Sequence, residues 1–334
     1  MVKEREYWID AVRTFACLCV IMTHAPIPST GGGRMAVPVY NFIAIGGASI
    51  LFFMISGALI LYKQQEFIPF MKRRLSRIAL PMVIWTIVSL FVSYIEGKIR
   101  LEEIWDKIIM IPFLPQVGTY WFIYVIFGIY LLTPVISTWL AHTTKKEIEY
   151  TLCIWGLTLL LPFVEETPFS HMINFVGGYL YYFYGYLWFA VLGFYLRKYV
   201  NVRKHRLRWM LLSLGIVVLV FAIYPTNIIP HSVLQNRMAL HVVLLAACYF
   251  LIIKHLYLPR KIKHLVYTFS KHSFGIYLVH ILVMRSILWP LLEPLQINHI
   301  IVIPMITILT ASLSFLIVWI IGKTIPYSKY IVGV

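Results

Sequence analysis

Acidic side chains are scarce in this 334-residue chain: 13 Asp and Glu stand against 29 Lys and Arg, and charged residues make up only 13% of the whole. A soluble domain carries about 25% charged residues, so half of the usual polar coat is missing. Apolar residues at 60% take its place, more than a water-soluble core of this length can absorb, because a domain of this size leaves much of its surface in water. A soluble enzyme, a disordered chain and a fibrous chain all fit poorly, and a mean hydropathy of +0.82 names lipid as the main solvent. Cysteines number four. Cys17 and Cys19 are two apart, so on a helix they point to nearly opposite sides and cannot hold one metal. All four, with Cys153 and Cys248, lie in apolar runs and read as small buried residues, without a disulfide framework or a metal site. No phosphate-binding Walker loop, dinucleotide fingerprint or nucleophile elbow occurs, which argues against ATP-driven and serine-hydrolase chemistry. No long repeat, low-complexity segment or large loop divides the chain, and residues 1–334 read as one integral membrane domain.

What is present is a series of apolar runs. A bilayer crossing needs about 20 mostly apolar residues, and ten stretches qualify: 8–26, 38–62, 78–95, 118–140, 150–164, 179–196, 209–225, 237–257, 274–292 and 299–321. The fifth is short, and could be tilted, re-entrant or extended. The first is not a cleaved signal, since Asp10 and Arg13 interrupt it, Glu4 and Glu6 precede it, and His24-Ala25-Pro26 is a poor cleavage site. The expected fold is therefore all-α and polytopic, with about ten transmembrane helices. Sorting the segments between spans by side puts 22 Lys and Arg on one side and five on the other, where seven of the 13 acids also lie. The basic side is cytoplasmic by the positive-inside rule, which places both termini there. The same split accounts for the net charge of +16 without nucleic acid. Ile99–Phe113 alternates charge and bulk at roughly helical spacing and could lie on the outer interface. The aromatic run Tyr179–Phe189 could stack sugars or form an interfacial belt.

Ionisable residues inside spans are costly and tend to mark function. The first span holds Asp10, Arg13 and His24. At about 100° per residue, Arg13 and His24 fall within roughly 20° of each other on one face and about 16 Å apart along the axis. Asp10 and Cys17 share that face, and Asp10, one turn from Arg13, is placed to pair with it. His24 lies near the outer end of its helix, and an imidazole suits removal of a proton near neutral pH. An interfacial histidine bonded to a carbonyl is the structural alternative. Before the third span stands Lys72-Arg73-Arg74-Leu75-Ser76-Arg77. Arg74 and Arg77 share a helical face and could hold an anionic phosphate, although an ordinary basic flank has the same composition. In the ninth span Tyr277 and His280 share a face, with His280 about two turns in from the cytoplasm, as a ligand-binding or a core histidine. Arg285 near mid-span needs a partner or water. Outside, Glu165, Glu166, His171, His231, Arg237 and His241 are polar candidates for an acceptor site.

Taken together, these motifs resemble the acyltransferase family 3 membrane proteins, bacterial enzymes that O-acylate surface glycans and related acceptors. Asp10, Arg13 and His24 look like that family's Asp-x-x-Arg and Arg-x10-His pattern. Phe52-Phe53-Met54-Ile55-Ser56-Gly57 is similar to its Phe-Phe-x-x-Ser-Gly signature, and Arg74-Leu75-Ser76-Arg77 with Pro81 to its Arg-x-x-Arg segment. Trp121-Phe122, Tyr130, Pro134 and Ser273–His280 follow in family order. The resemblance implies ten transmembrane helices in the bacterial inner membrane and an acyl donor, usually acetyl-CoA, taken from the cytoplasm. Carried over by position, it makes His24 the catalytic histidine, supported by Arg13 and Asp10. It gives Arg74 and Arg77 the donor phosphates, with Arg73, Tyr277 and His280 as further donor-site candidates. Some members carry an extra span and an extracytoplasmic esterase-like domain, which are not expected in this chain. The expected partners are acyl-CoA, a glycan or lipid-linked sugar acceptor and the bilayer.

The competing class is a carrier or flippase for a glycan or lipid-linked sugar, which would also explain intramembrane Arg and His. Internal repeats and paired broken helices of the carrier kind are not seen. A non-catalytic membrane sensor would need neither the basic mouth nor His24.

Overall fold

The computed structural model describes residues 6–27, 32–164, 180–201, 205–226 and 228–333. Among them the chain is all-helical, with no strand. Lipid imposes this outcome, because backbone polar groups that meet no water must be bonded within their own segment. The principal helices are α1 (Tyr7–His24), α2 (Ala36–Gly47), α3 (Ser49–Ile60), α4 (Phe67–Ile95), α5 (Leu101–Met110), α6 (Trp121–His142), α7 (Lys145–Thr158), α8 (Leu187–Tyr199), α9 (Arg206–Ile223), α10 (Leu240–Lys254), α11 (Arg260–Leu282) and α12 (His299–Thr324).

Seven helices among the described residues are long and apolar enough to cross a membrane: Ala36–Ile60, Phe67–Ile95, Gly118–His142, Lys145–Val164, Leu207–Thr226, Arg260–Leu295 and His299–Thr324. The chain is thus built as a multi-pass membrane protein. Several hydroxyls inside these helices are satisfied one turn back, as Thr86 is by Met82, Ser89 by Trp85 and Thr307 by Ile303, a local solution where water is absent.

Several boundaries differ from the hydropathy reading. The second span is one apolar run but two helices, broken at Ala48 (ψ −120°). The neighbours explain the break: a Cβ on Gly47 would stand 2.5 Å from Cys19 Sγ, and one on Gly46 2.9 Å from Leu245 Cδ2, so the chain threads a gap that admits no side chain. Helix α4 begins at Phe67, eleven residues before the expected 78, because hydropathy marks where lipid begins and not where the helix does. The basic cluster is therefore helical, and Arg74 and Arg77 share a face as the spacing predicts. The ninth span is the interior of a rod running from Arg260 to Leu295, with a π-helical turn at Val283–Leu288, a departure often found at functional sites. Cys17, Cys19 and Cys248 are buried, but Cys153 is exposed on the outside of α7, against the expectation of burial.

Helix α3 crosses α8 at closest range through two glycines. A Cβ on Gly57 would lie 1.9 Å from the Ala190 carbonyl oxygen and one on Gly193 2.0 Å from that of Met54, a small-residue contact typical of helices packed in lipid. The end of α8 is fastened by Lys254, whose Nζ donates to the carbonyls of Leu196, Arg197 and Val200 at 2.8, 3.0 and 2.7 Å. Arg197 itself donates to the Ala58 carbonyl and pairs with Glu6, so part of the basic flank holds the fold together.

Candidate functional site

Helices α1 and α11 climb side by side, and three pairs mark the seam. Ser270 Oγ donates to the buried Asp10 carboxylate at 2.8 Å. Cys17 Sγ reaches the Ser273 carbonyl at 3.9 Å, and His24 meets His280 with ring centroids 5.7 Å apart. The face that carries Asp10, Arg13, Cys17 and His24 is thus the face turned to α11.

Cavities lead to this seam and along it. The first, about 340 Å³, is lined by Gln65, Phe70, Arg73, Arg74, Ser76 and Arg77. The second, about 250 Å³, is lined by Arg74 and Arg77 again, with Arg13, Ser56, Tyr130, Ser270, Lys271 and Tyr277 among others. The two arginines form the wall common to both. Arg74 lies over the rings of Phe70 and Tyr130, 5.4 Å from each centroid, which orients a planar guanidinium without neutralising it. Among the described residues no carboxylate pairs with Arg73, Arg74 or Arg77, so their charge is available to an anion. Guanidinium groups at the rim of a cavity can hold phosphate or carboxylate oxygens in pairs. The signature at 52–57 divides here: Phe52 and Ser56 line the cavity, while Gly57 belongs to the α3–α8 crossing.

Phe52, Phe122 and Tyr277 close the second cavity and also line a small chamber of about 20 Å³, shared with His24, Ser49, Thr119, Trp121 and Arg237. Phe122 packs 5.8 Å from both Phe52 and Tyr277, centroid to centroid. The Tyr277 hydroxyl donates to the Thr119 carbonyl, and the Tyr120 hydroxyl to that of Leu278 at 2.6 Å, which locks the start of α6 to α11. His24, Thr119 and Trp121 then line a polar cleft of about 310 Å³ with Glu96, Lys98, Gln116, Arg285 and Ser286. Lys98 pairs with Glu96 at 2.6 Å, and hydrogen bonds from Lys98 and Ser286 hold the Glu96 carboxyl below its ordinary range.

The structure brings Arg13, Arg74, Arg77 and Tyr277 to one cavity, and His24 to the chamber beyond it. Arg73 reaches only the mouth. His280 stands with His24 and not with the arginines. It shares a face with Tyr277, but three residues of rise, about 4.5 Å, carry it past the waist that Tyr277 forms. Its Nδ1 is 2.5 Å from the Tyr277 carbonyl. Arg285 lies in the polar cleft, 5.6 Å over Trp289, and Arg237 enters the chamber, 5.2 Å over Trp121. His241 points elsewhere, stacked 5.6 Å from Phe42 with Nε2 2.9 Å from the Leu234 carbonyl. His231 stacks on Tyr224 at 3.8 Å. Of the aromatic run, Tyr186 and Phe189 pack against Phe53, whereas Tyr182 is 84% exposed. Tyr179, Glu165, Glu166 and His171 lie outside the described residues. Ser49, Thr119 and Ser270 escaped the sequence reading, because a hydroxyl within an apolar run has no periodic signal. No cluster of three or more metal-ligating side chains occurs among the described residues.

No curated protein and no solved structure matches this chain significantly. A family model described as an acyltransferase domain, that of acyltransferase 3, matches residues 6–322, from the start of α1 into the last turns of α12. That span includes Asp10, Arg13, His24, Arg74, Arg77 and Tyr277, and the chain belongs to the acyltransferase 3 family of membrane acyltransferases.

Proposed function

We propose that this membrane acyltransferase moves an acetyl group from cytoplasmic acetyl-CoA to a hydroxyl of a surface polysaccharide or its lipid-linked precursor, with His24 as general base. The observation that carries this reading is the order of the cavities. A basic mouth at Arg73, Arg74 and Arg77 leads past Arg13 and Tyr277 to a chamber at His24, and a polar cleft opens on the other side of the same imidazole. A nucleotide held at the arginines would send its acyl-bearing arm along α1, over the roughly 16 Å that separate Arg13 from His24. The acceptor hydroxyl would come from the polar cleft. In this reading Asp10, bonded to Ser270, fixes the α1–α11 seam, Arg13 supports the donor cavity, and His280 contacts the base instead of the donor phosphates.

This reading counts ten crossings, adding Tyr7–His24, Leu187–Tyr199 and Leu240–Lys254 to the seven long helices. With ten crossings both termini share a side, and the basic segments make that side the cytoplasm of a bacterial inner membrane. Residues 1–334 then act as one catalytic domain. The direct test is release of CoA from labelled acetyl-CoA by the purified protein in proteoliposomes containing lipid-linked glycan. Acceptor-dependent release is the expected result. Movement of glycan without consumption of acetyl-CoA would make the protein a carrier.

A further inference from the structure

We propose that Ser49, Thr119 and Arg237 form an oxyanion pocket for the acyl carbonyl, a catalytic element beside His24; the assignment rests on His24 as the base. Most buried polar atoms in folded proteins have a hydrogen-bond partner. Here Ser49 Oγ, Thr119 Oγ1 and Arg237 Nε are buried without one among the described residues, and all three residues line the same chamber as His24. Three such groups around one void point to a ligand atom that satisfies them.

The chemistry of the lining says which atom. Arg237 Nε–H can only donate, and each hydroxyl can turn its hydrogen inward. No carboxylate lines the chamber, and among the described residues none pairs with Arg237. The guanidinium is instead held by the face of Trp121, 5.2 Å away. Donors and one cation converge where negative charge is to develop. A volume of about 20 Å³ admits a single oxygen or water-sized group, which excludes a whole sugar or an acidic substituent. The fitting group is the thioester carbonyl oxygen.

The step balances as follows. The acceptor O–H gives its proton to His24 as its oxygen bonds to the thioester carbon, and the carbonyl pair moves onto oxygen, facing Arg237, Thr119 and Ser49. The carbonyl re-forms, the C–S bond breaks, and the CoA thiolate takes the proton from the imidazolium. The products are the O-acetyl ester and CoA thiol. Donors aimed at the developing oxyanion lower the barrier without reorganising.

Inverted membrane vesicles carrying endogenous glycan, supplied with radiolabelled acetyl-CoA, report incorporation into polymer for R237Q, R237K, T119V, S49A and H24Q. R237Q is expected to lower kcat by about 10²–10³-fold with the acetyl-CoA KM within about threefold, as loss of an oxyanion donor does elsewhere. R237K should recover part of the rate. T119V and S49A, which keep shape, should each lose about tenfold. They decide the matter if R237Q does not fold. Wild-type kcat in R237Q and T119V, or a raised KM at unchanged kcat, would overturn the oxyanion pocket. If H24Q also incorporates label at the wild-type rate, or wild type incorporates none, the reading of His24 and the donor fails first. An inactive H24Q beside active R237Q and T119V sinks this proposal alone.

Discussion

The imidazoles of His24 and His280 meet across the α1–α11 seam, 5.7 Å between centroids and 42° between planes. His280 is wholly buried, and its Nδ1–H donates to the Tyr277 carbonyl at 2.5 Å, which fixes the ring and its tautomer. His24 therefore rests against a side chain that cannot swing away. Tyr277 in turn is tied to Thr119, so the residue that narrows the passage also sets the histidine beside which His24 lies.

His280→Ala is expected to loosen His24. A base misplaced by about 1 Å costs of order 10²-fold in rate, with the donor KM unchanged because the arginines are untouched. Initial rates against acetyl-CoA concentration separate the two parameters. A raised KM at constant kcat would return His280 to the donor site.

Arg74→Ala and Arg77→Ala should each weaken donor binding. A hydrogen bond to a charged group is worth about 1.5–3 kcal/mol, so the donor KM should rise by roughly 10- to 100-fold per residue, and less at high ionic strength where screening already weakens the attraction. Arg73→Ala, at the mouth alone, should change it little. Equal effects of all three would indicate a diffuse basic flank in place of a site.

Much of this arrangement is legible in the sequence. Alternating apolar runs place the helices, and a 3.6-residue period sets Asp10, Arg13 and His24 on one face before any neighbour is known. The meeting of His24 with His280 is not legible, because it depends on which helices lie together. The break at Ala48 depends on Cys19 and Leu245, residues distant in the chain. Ser49 and Thr119 look like any small hydroxyl in an apolar run until the chamber they line is seen. Gly57 stands inside a motif that reads as one signature, yet it serves packing while its neighbour Ser56 serves the cavity.

That division makes Gly57→Ala a stability test. The added carbon would overlap the Ala190 carbonyl, backbone that cannot rotate aside, and overpacking of this kind costs about 1–3 kcal/mol. A lowered thermal midpoint in detergent is expected. Gly156→Ala, on a helix and with nothing within 4 Å of its Cβ, should be neutral or gain up to about 1 kcal/mol. Equal midpoints for both variants would contradict the α3–α8 crossing.

Lys254→Met keeps the stem and removes the ammonium that caps α8. Three carbonyls lose a charged donor, a loss of about 1–3 kcal/mol, read as a lower thermal midpoint. Donor KM in the fraction that remains folded should match wild type, since Lys254 lines none of the four cavities between the basic mouth and the polar cleft.

The most direct measurement is single-turnover acyl transfer by His24→Gln, alongside equilibrium binding of acetyl-CoA to the same preparation. Glutamine keeps a polar side chain at the chamber but cannot accept a proton. Transfer is predicted to fall by about 10²–10⁴-fold with acetyl-CoA affinity intact. Transfer at the wild-type rate would contradict the account.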